Sequence, residues 1–234
     1  MRVVVIIPAL NEEDAIGKVI GDLPGGEVVQ VIVVDNGSTD ATAAVARSAG
    51  AYVVSEPERG YGAACLRGIE ASREFAPDII VFLDGDYSDY PDELSRLTGP
   101  IETGEVEMVI GSRMLGDRSR GALLPQAVVG NRLACALMRL LWGARYTDLG
   151  PFRAIHVDAL GRLGMQDRDY GWTIEMQIKA VQQGLRYTEV PVSYRRRIGT
   201  SKITGTVRGT VGASIKILVT IARQYLGNRS GSHG

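Results

Sequence analysis

Residues 79–86 read Ile-Ile-Val-Phe-Leu-Asp-Gly-Asp, an uninterrupted apolar run that stops at two aspartates separated by one glycine. Five consecutive apolar residues are typical of a strand that is covered on both faces of a parallel sheet. Side chains two residues apart at a strand end point to the same side, so the carboxylates of Asp84 and Asp86 are expected to lie together. The stretch therefore predicts a buried strand with concentrated negative charge at its carboxyl end.

This pair of carboxylates has two interpretations. Close like charges repel unless a cation lies beside them, and hard oxygen ligands suit Mg²⁺ or Mn²⁺, which in turn bind phosphates. Gly85 leaves room for a ligand close to the backbone, and Asp89 follows at a distance that can return a third carboxylate to the same ion. The metal interpretation names Asp84, Asp86 and Asp89 as ligands. The alternative is a solvated acidic turn, because Asp and Gly are common turn residues.

Similar apolar runs recur along the first half of the chain and alternate with helix-like segments. The predicted strands are Val3–Ile7, Val28–Val34, Tyr52–Ser55, Ile79–Leu83 and Glu107–Ile110. The predicted helices between them are Asp14–Asp22, Thr39–Ala49, Gly62–Phe75 and Asp92–Thr103. This alternation predicts an α/β fold with a doubly wound, mainly parallel central sheet flanked by helices. Such sheets bind their ligands at the carboxyl ends of the strands.

The second half of the chain is less regular. Its predicted elements are a loop at Gly111–Leu124, helices at Ala127–Trp142 and Thr173–Gln183, a turn at Thr147–Phe152 and a strand at Tyr187–Tyr194. Residues 206–226 are a candidate amphipathic helix, and the composition of residues 227–234 predicts a disordered tail. The length of 234 residues suits one domain, which we place at residues 1–226.

Charge and histidine content argue against several classes of function. With 26 basic and 27 acidic residues the net charge is −1, so there is no global basic field for a nucleic acid. The two histidines, His156 and His233, are too few for a histidine metal site or a catalytic triad. No run reaches the roughly 18 apolar residues that span a bilayer, and we expect a cytoplasmic protein.

The first two predicted strands also end in acidic turns, at residues 8–13 and 34–40. Asn11 can cap the first helix, and Ser38 or Thr39 the second, and we expect this capping to occur. Capping does not explain why three of the predicted strands, the first, second and fourth, end in such turns. Three turns at neighbouring strand ends predict one polar crevice.

A Gly-Tyr-Gly sequence at residues 60–62 opens the third predicted helix. It lacks the full GxGxxG spacing and follows the third strand, so a dinucleotide-binding fold is not expected. Two interpretations remain for Gly60 and Gly62: close approach of a ligand to the backbone, or a plain turn at the start of a helix.

Eight segments, in order, resemble glycosyltransferases. The segments Pro8–Glu13, Val34–Asp40, Gly60–Ala64 and Asp84–Asp89 resemble family 2 with the GT-A fold. The segments Gly111–Arg113, Asp148–Arg153, Glu189–Val192 and Arg197–Lys202 resemble its polyprenyl (dolichyl) phosphate sugar synthase branch. The resemblance covers about residues 3–205 and implies inverting transfer from a nucleoside diphosphate sugar. It divides the domain into a nucleotide-sugar-binding half, 1–112, and an acceptor-binding half, 113–226.

The resemblance also implies roles for individual residues. The nucleotide sugar would be bound by Pro8, Ala9, Asn11, Glu12, Asp35, Gly60, Gly62, Asp84, Gly85 and Asp86. Asp86 would be the main metal ligand, and Asp89 would replace the Gln that the branch often has where Ser88 stands. The acceptor phosphate and the leaving diphosphate would face Arg113, Arg132, Arg197 and Lys202.

The predicted reaction moves a hexose from UDP-glucose or GDP-mannose to a polyprenyl or dolichyl phosphate, with Mg²⁺ or Mn²⁺. A phosphate acceptor is ionised near neutral pH and needs cations rather than a general base. One alternative is a soluble or saccharide hydroxyl acceptor, for which Asp148 is the candidate base unless its role is structural. The others are a nucleotidyltransferase and a non-catalytic sugar-nucleotide-binding protein.

Two segments near the C-terminus, a basic one at residues 195–202 and an amphipathic one at residues 206–226, each have two interpretations. We expect Arg195 and Arg196 to be solvated on an edge strand, and Arg197 and Lys202 to belong to the site. The amphipathic helix at 206–226 either packs on the core or lies in the membrane interface, which would place the protein on the cytoplasmic face of a membrane.

Overall fold

Seven strands form one sheet in the computed structural model, which describes residues 1–199 and 215–226. The strands are β1 (Val3–Ala9), β2 (Val28–Asp35), β3 (Tyr52–Ser55), β4 (Ile79–Phe82), β5 (Met108–Ser112), β6 (Arg153–His156) and β7 (Tyr187–Pro191). Their order across the sheet is β3-β2-β1-β4-β6-β5-β7. β6 is antiparallel to both of its neighbours, β4 and β5, and the other pairings are parallel. The predicted doubly wound, mainly parallel sheet is confirmed.

Helices cover both faces of this sheet. They are α1 (Ile16–Gly21), α2 (Thr42–Ser48), α3 (Tyr61–Ser72), α4 (Leu94–Glu102), α5 (Pro125–Trp142), α6 (Val157–Leu163), α7 (Trp172–Gln182) and α8 (residues 215–226). Two short 3-10 helices, Arg73–Phe75 and Pro91–Glu93, extend α3 and precede α4. Among the helices in the described ranges, none is long and apolar enough to cross a membrane.

The core consists of two apolar layers separated by the sheet. Alternate residues of β1 point to opposite faces, so Val4 and Ile6 pack with α3, α5, α6 and α7, whereas Val5 and Ile7 pack with α1, α2 and α4. The continuous apolar runs of the central strands follow from this, because both faces of each strand are buried. The carboxyl ends of β1, β2 and β4 therefore meet at one edge on a rigid support.

One strand and one helix were missing from the sequence prediction. β6 begins with Arg153, whose buried guanidinium donates to the carbonyl oxygens of Gly150 and Thr173. A charged first residue breaks the apolar run by which a central strand is recognised, and only three residues remain in β6. α6 follows it directly and is also short.

The predicted capping of α1 and α2 is wrong. The residues before these helices are Ala15 and Ala41, and neither accepts a capping hydrogen bond through its side chain. The polar turns bind each other instead. Thr39 N donates to Asn11 Oδ1 at 2.8 Å, and Ala41 N donates to Glu13 Oε2 at 2.7 Å. The first two strand ends are thereby tied into one rim.

The C-terminal helix is described from residue 215 to residue 226. Ile217 packs against the core, and Thr220 and Ile221 are buried, while Ile215 and Leu226 are exposed. This part of the helix thus has a core-packing face and a solvent face. Residues 200–214 and the predicted disordered tail, 227–234, lie outside the described residues.

Candidate active site

Asp84 stands just beyond the end of β4, where the hydroxyl of Tyr61 donates a hydrogen bond to its Oδ1 at 3.2 Å. Burial and the neighbouring charge of Asp86 raise the pKa of Asp84 from 3.8 to about 7. The cause is physical: a carboxylate out of water beside a second carboxylate is costly to ionise. A cation in this position would remove that cost.

Asp86 is bound through both of its carboxylate oxygens. Oδ1 accepts from the backbone N–H of Ser88 at 2.9 Å and from the Ser88 hydroxyl. Oδ2 lies 3.1 Å from Nη1 of Arg197, and the same guanidinium reaches Glu12 Oε1 through Nη2 at 2.9 Å. Arg197 thus joins the turn after β1 to the turn after β4 by pairing with one carboxylate on each.

Asp89 is buried, and neither of its carboxylate oxygens has a hydrogen-bond partner in the described part of the chain. Burial and the charges of Asp84 and Asp86 raise the pKa of Asp89 well above its usual range. An orphaned buried carboxyl next to two others fits a site built for a cation. Within residues 1–199 and 215–226, however, no ready-made cluster of three potential metal ligands exists, and Arg197 holds one of the Asp86 oxygens.

Residues 194–198 form backbone hydrogen bonds with the turn that carries these aspartates. Arg195 N donates to Ser88 O, and Ile198 N donates to Asp86 O, both at 2.9 Å. The Arg195 guanidinium stacks between two tyrosine rings, 3.4 Å from the centroid of Tyr87 and 4.2 Å from that of Tyr90. The prediction that Arg195 is solvated is therefore wrong, because its aromatic partners are supplied by a distant turn.

A cavity of about 550 Å³ opens beside Asp84 and Asp86 at the carboxyl edge of the sheet. Its lining includes the predicted donor residues Pro8, Ala9, Glu12, Gly60, Asp84, Gly85 and Asp86, together with Arg197. Volumes of this order suit a ligand of nucleotide-sugar size. The structure thus brings together residues from three separate strand ends and from the segment after β7.

Three predicted donor residues lie outside the lining of this cavity. Asn11 belongs to the rim described above, with a left-handed φ of 53°. Asp35 Oδ1 accepts from Ser38 N at 2.9 Å and so shapes the turn after β2. Gly62 lies against the backbone carbonyl of Asp167, closer than a Cβ atom would permit.

Gly60 and Gly62 are explained by contact with the protein itself. Their backbone touches the carbonyls of Arg168 and Asp167, and Ala63 N donates to Arg168 O at 2.8 Å. A side chain at Gly62 would displace the segment 167–170 that closes one wall of the cavity. Close approach of a ligand to the backbone was one of the two sequence interpretations, but the group that approaches both glycines here is the loop at residues 167–168.

Several cavity residues were missed by the sequence prediction. They are Leu10, Asn36, Arg59, Tyr61, Ala64, Asp169 and Tyr170. Asn36 follows the predicted Asp35 and donates to the carbonyls of Glu56 and Glu58, which fixes the entry to α3. Asp169 and Tyr170 arrive from the loop before α7, and no local sequence signal marks them.

A second, smaller cavity of about 180 Å³ lies on the other side of the two aspartates. Its lining shares Asp84, Asp86 and Arg197 with the larger cavity. Its other walls combine cationic, polar and apolar side chains, namely Arg113, Met114, Leu123, Leu124, Ala127, Val128, Asn131, Asp148 and Tyr194. The two cavities therefore adjoin at these three side chains.

Arg113 and Asp148 form a two-pronged ion pair in the smaller cavity. Arg113 Nε donates to Oδ2 and Nη2 donates to Oδ1, both at 2.8 Å, and Asp148 is fully buried. The N–H of Asp148 donates to Glu189 Oε1 at 3.1 Å, which fixes the turn. Arg113 keeps one guanidinium nitrogen outside the pair, so Asp148 orients a cation at the cavity wall.

Two other basic residues were predicted to face the acceptor, Arg132 and Lys202, and the described part of the chain places neither in this cavity. Arg132 is exposed on α5, one position after Asn131, whose side chain holds the 147–149 turn. Lys202 lies outside the described residues.

Comparison with known proteins identifies relatives of this chain. The profile described as glycosyl transferase family 2 matches residues 4–163. An uncharacterized glycosyltransferase of Mycobacterium bovis is 35% identical over 211 residues, covering 89% of this chain and 93% of that protein. The undecaprenyl-phosphate mannosyltransferase of Micrococcus luteus is 30% identical over 230 residues, covering 89% and 90% of the two chains.

A solved structure is similar over almost the whole chain. The glucosyl-3-phosphoglycerate synthase of Mycobacterium tuberculosis, in complex with Mn²⁺, UDP-glucose and glycerol 3-phosphate, superposes with a TM-score of 0.76 at 26% identity. The match covers 96% of this chain and 80% of that one. These relatives confirm the predicted GT-A fold and the prediction of an enzyme. The chain belongs to glycosyl transferase family 2.

Proposed function

We propose that the protein transfers a hexose from a nucleoside diphosphate sugar to a polyprenyl phosphate, with a divalent metal. The observation that carries this proposal is the pair of cavities that share Asp84, Asp86 and Arg197. A sugar donor in the larger cavity and an acceptor in the smaller one would meet at these side chains. The reacting atoms would then lie beside two carboxylates and a guanidinium.

The larger cavity supports a nucleotide-sugar donor. UDP-glucose is the first donor to test, because a solved relative was crystallised with it, and GDP-mannose is the second, because another relative is a mannosyltransferase. Asp84 and Asp86 would hold the metal, with Asp89 as the third carboxyl. A bound Mg²⁺ or Mn²⁺ would neutralise the negative charge that develops on the departing diphosphate.

The smaller cavity supports a lipid-linked phosphate as acceptor. Arg113 supplies a cation oriented by Asp148, and Leu123, Leu124 and Val128 supply an apolar wall. A phosphate monoester attached to an isoprenoid chain offers an anion to Arg113 and an apolar chain to the wall of leucine and valine side chains. Its oxygen is already ionised near neutral pH, so attack on the anomeric carbon needs orientation and no proton transfer.

The chain's own residues would have separate tasks in this reaction. Arg197 would leave its pairing with Glu12 and Asp86 and turn to the diphosphate, which offers it an equivalent anionic partner. Arg113 would hold the acceptor phosphate in line with the donor sugar. Asp148 would keep the guanidinium in place.

A small phosphorylated acceptor is the second candidate. It is favoured by the likeness to a synthase crystallised with glycerol 3-phosphate. Such an acceptor would use the same cation but not the apolar wall. Its attacking group would be a hydroxyl, which needs a base.

The test is a transfer assay with radiolabelled UDP-glucose or GDP-mannose, Mn²⁺, and either undecaprenyl phosphate or glycerol 3-phosphate. We expect label in the organic phase with undecaprenyl phosphate, and its loss in Asp86→Asn. Asp117→Asn, at an exposed position, is the matched control and should retain transfer. Label transferred only to the soluble acceptor would select the second candidate, and no transfer to either would refute the proposal.

The role of Asp148 can be tested separately. If it orients Arg113, then Asp148→Asn should raise the KM for the acceptor and leave the pH profile of kcat unchanged. A general base would instead give a large loss of kcat and remove one limb of that profile.

A further inference from the structure

The outer surface of α5 is apolar although it faces solvent. Val129, Leu133 and Leu140 are 66%, 51% and 79% exposed, and Ala136 between them is exposed as well. Their spacing places them on one stripe of the helix, which we call the α5 stripe. A single exposed leucine needs no explanation, but a continuous apolar stripe is typical of an interaction surface.

The charges beside the α5 stripe have one sign. α5 contains no aspartate or glutamate, and its two charged residues, Arg132 and Arg139, are both exposed. A helix with an apolar stripe and flanking arginines matches the surface of a bilayer that contains anionic lipids. A soluble partner would need its own acidic and apolar face to match it.

The α5 stripe is continuous with the smaller cavity. Ala127 and Val128, in the first turns of α5, line that cavity together with Leu123 and the partly exposed Leu124. The next residue, Val129, is exposed and begins the α5 stripe. An apolar path therefore leads from the wall beside Asp84 and Asp86 out along the helix.

α8 extends this surface at the far end of α5. The ring of Tyr225 contacts that of Trp142, with 6.1 Å between the centroids. α8 packs on the core through Ile221 and exposes a second apolar set, Ile215, Leu218, Val219 and Leu226. Its described residues include no aspartate or glutamate.

We propose that the α5 stripe docks on the surface of an anionic lipid bilayer. Val129, Leu133 and Leu140 would enter the headgroup region, and Arg132 and Arg139 would pair with lipid phosphates. The proposal deepens the proposed function, because docking would bring the mouth of the smaller cavity to the place where a lipid phosphate resides. Docking itself requires neither a donor nor transfer.

The experiment is co-sedimentation of the full chain with vesicles of phosphatidylcholine and phosphatidylglycerol, 7:3, that contain no polyprenyl phosphate. We expect binding that weakens in high salt or with phosphatidylcholine alone. The variant Leu133→Glu/Leu140→Glu should lower the partition coefficient about 100-fold, at about 10-fold for each leucine side chain. The control Val29→Glu changes an exposed apolar residue at the start of β2 and should bind like the wild type.

A second variant, Arg132→Glu/Arg139→Glu, tests the charges without changing the stripe and should reduce binding to the anionic vesicles. The proposal is overturned if the wild type does not bind, or if the leucine variant binds as well as the control. It is also overturned if sedimentation velocity shows a wild-type dimer that the leucine variant dissociates, since the stripe would then face a second copy. If the protein binds vesicles but transfers no sugar to undecaprenyl phosphate, only the proposed acceptor is refuted. If it transfers sugar but does not bind vesicles, only the proposed docking is refuted.

Discussion

Replacing Asp84 with asparagine should stabilise the metal-free protein, because this carboxyl is held where ionisation is unfavourable. In the folded state its pKa is about 7, against an ordinary value of 3.8. A difference of this size corresponds to about 4 kcal/mol when the carboxyl is ionised. Partial exposure and the coupling with Asp86 reduce the expected gain to about 2 kcal/mol. Asparagine preserves the acceptor for the Tyr61 hydroxyl.

If the unfavourable ionisation of Asp84 is the cause, the stability gained by the substitution must depend on pH with a definite sign. A carboxyl whose pKa is raised by folding destabilises the protein fully above its folded pKa, and the destabilisation disappears as the pH falls toward 3.8. The gain from Asp84→Asn should therefore be largest at pH 8, less than half as large at pH 5, and absent only below the ordinary pKa of 3.8.

The assay is thermal unfolding in EDTA at pH 5 and pH 8, with Asp117→Asn as an exposed control. About 2 kcal/mol corresponds to an increase in Tm of roughly 4–8 °C for a chain of this size. Adding Mn²⁺ and UDP-glucose should raise the Tm of the wild type more than that of the variant. A Tm for Asp84→Asn that is unchanged or lower at pH 8, or a gain equal at both pH values, would refute the reasoning.

Three further outcomes are expected. Gly62→Ala should lower the free energy of unfolding, measured in urea, by about 2–4 kcal/mol, because the added Cβ would clash with the backbone carbonyl of Asp167. The control Gly161→Ala, in open space on α6, should be neutral or slightly stabilising. Equal effects of the two substitutions would contradict the packing argument. Arg195→Lys should lower the free energy of unfolding by about 1–2 kcal/mol, because lysine cannot reproduce the stacking on Tyr87; an unchanged Tm would show that the stacking is dispensable. Chelation by EDTA should abolish sugar transfer, and added Mn²⁺ should restore it. Transfer that persists in EDTA would exclude a requirement for a divalent metal.

The parts of the site that were predictable are those encoded by a strand and the few residues after it. Asp84, Gly85 and Asp86 follow an apolar run, so local sequence indicates both the strand and the side on which its carboxylates emerge. The same holds for Pro8, near the end of β1, and for Glu12, three residues beyond that end. These positions depend on strand geometry and on nothing far away in the chain.

The parts that were not predictable depend on contacts between distant segments. Nothing in a run of three arginines indicates that Arg195 stacks between two tyrosines of another turn. Asp169 and Tyr170 enter the larger cavity only because the loop before α7 packs on the glycines of α3. The sequence around Arg153 also gives no sign that its guanidinium is buried and donates to the carbonyls of Gly150 and Thr173.

The place of β6 in the sheet has a consequence for synthesis of the protein on the ribosome. β6 lies between β4 and β5 although it follows both of them in the chain. Until residue 156 has left the exit tunnel, β4 presents an unpaired edge, and β5 has no strand partner because both of its neighbours, β6 and β7, come later in the chain. Unpaired edges of this kind are where nascent chains aggregate. We therefore expect the nascent chain to be most prone to aggregation while residues 112–156 are being synthesised.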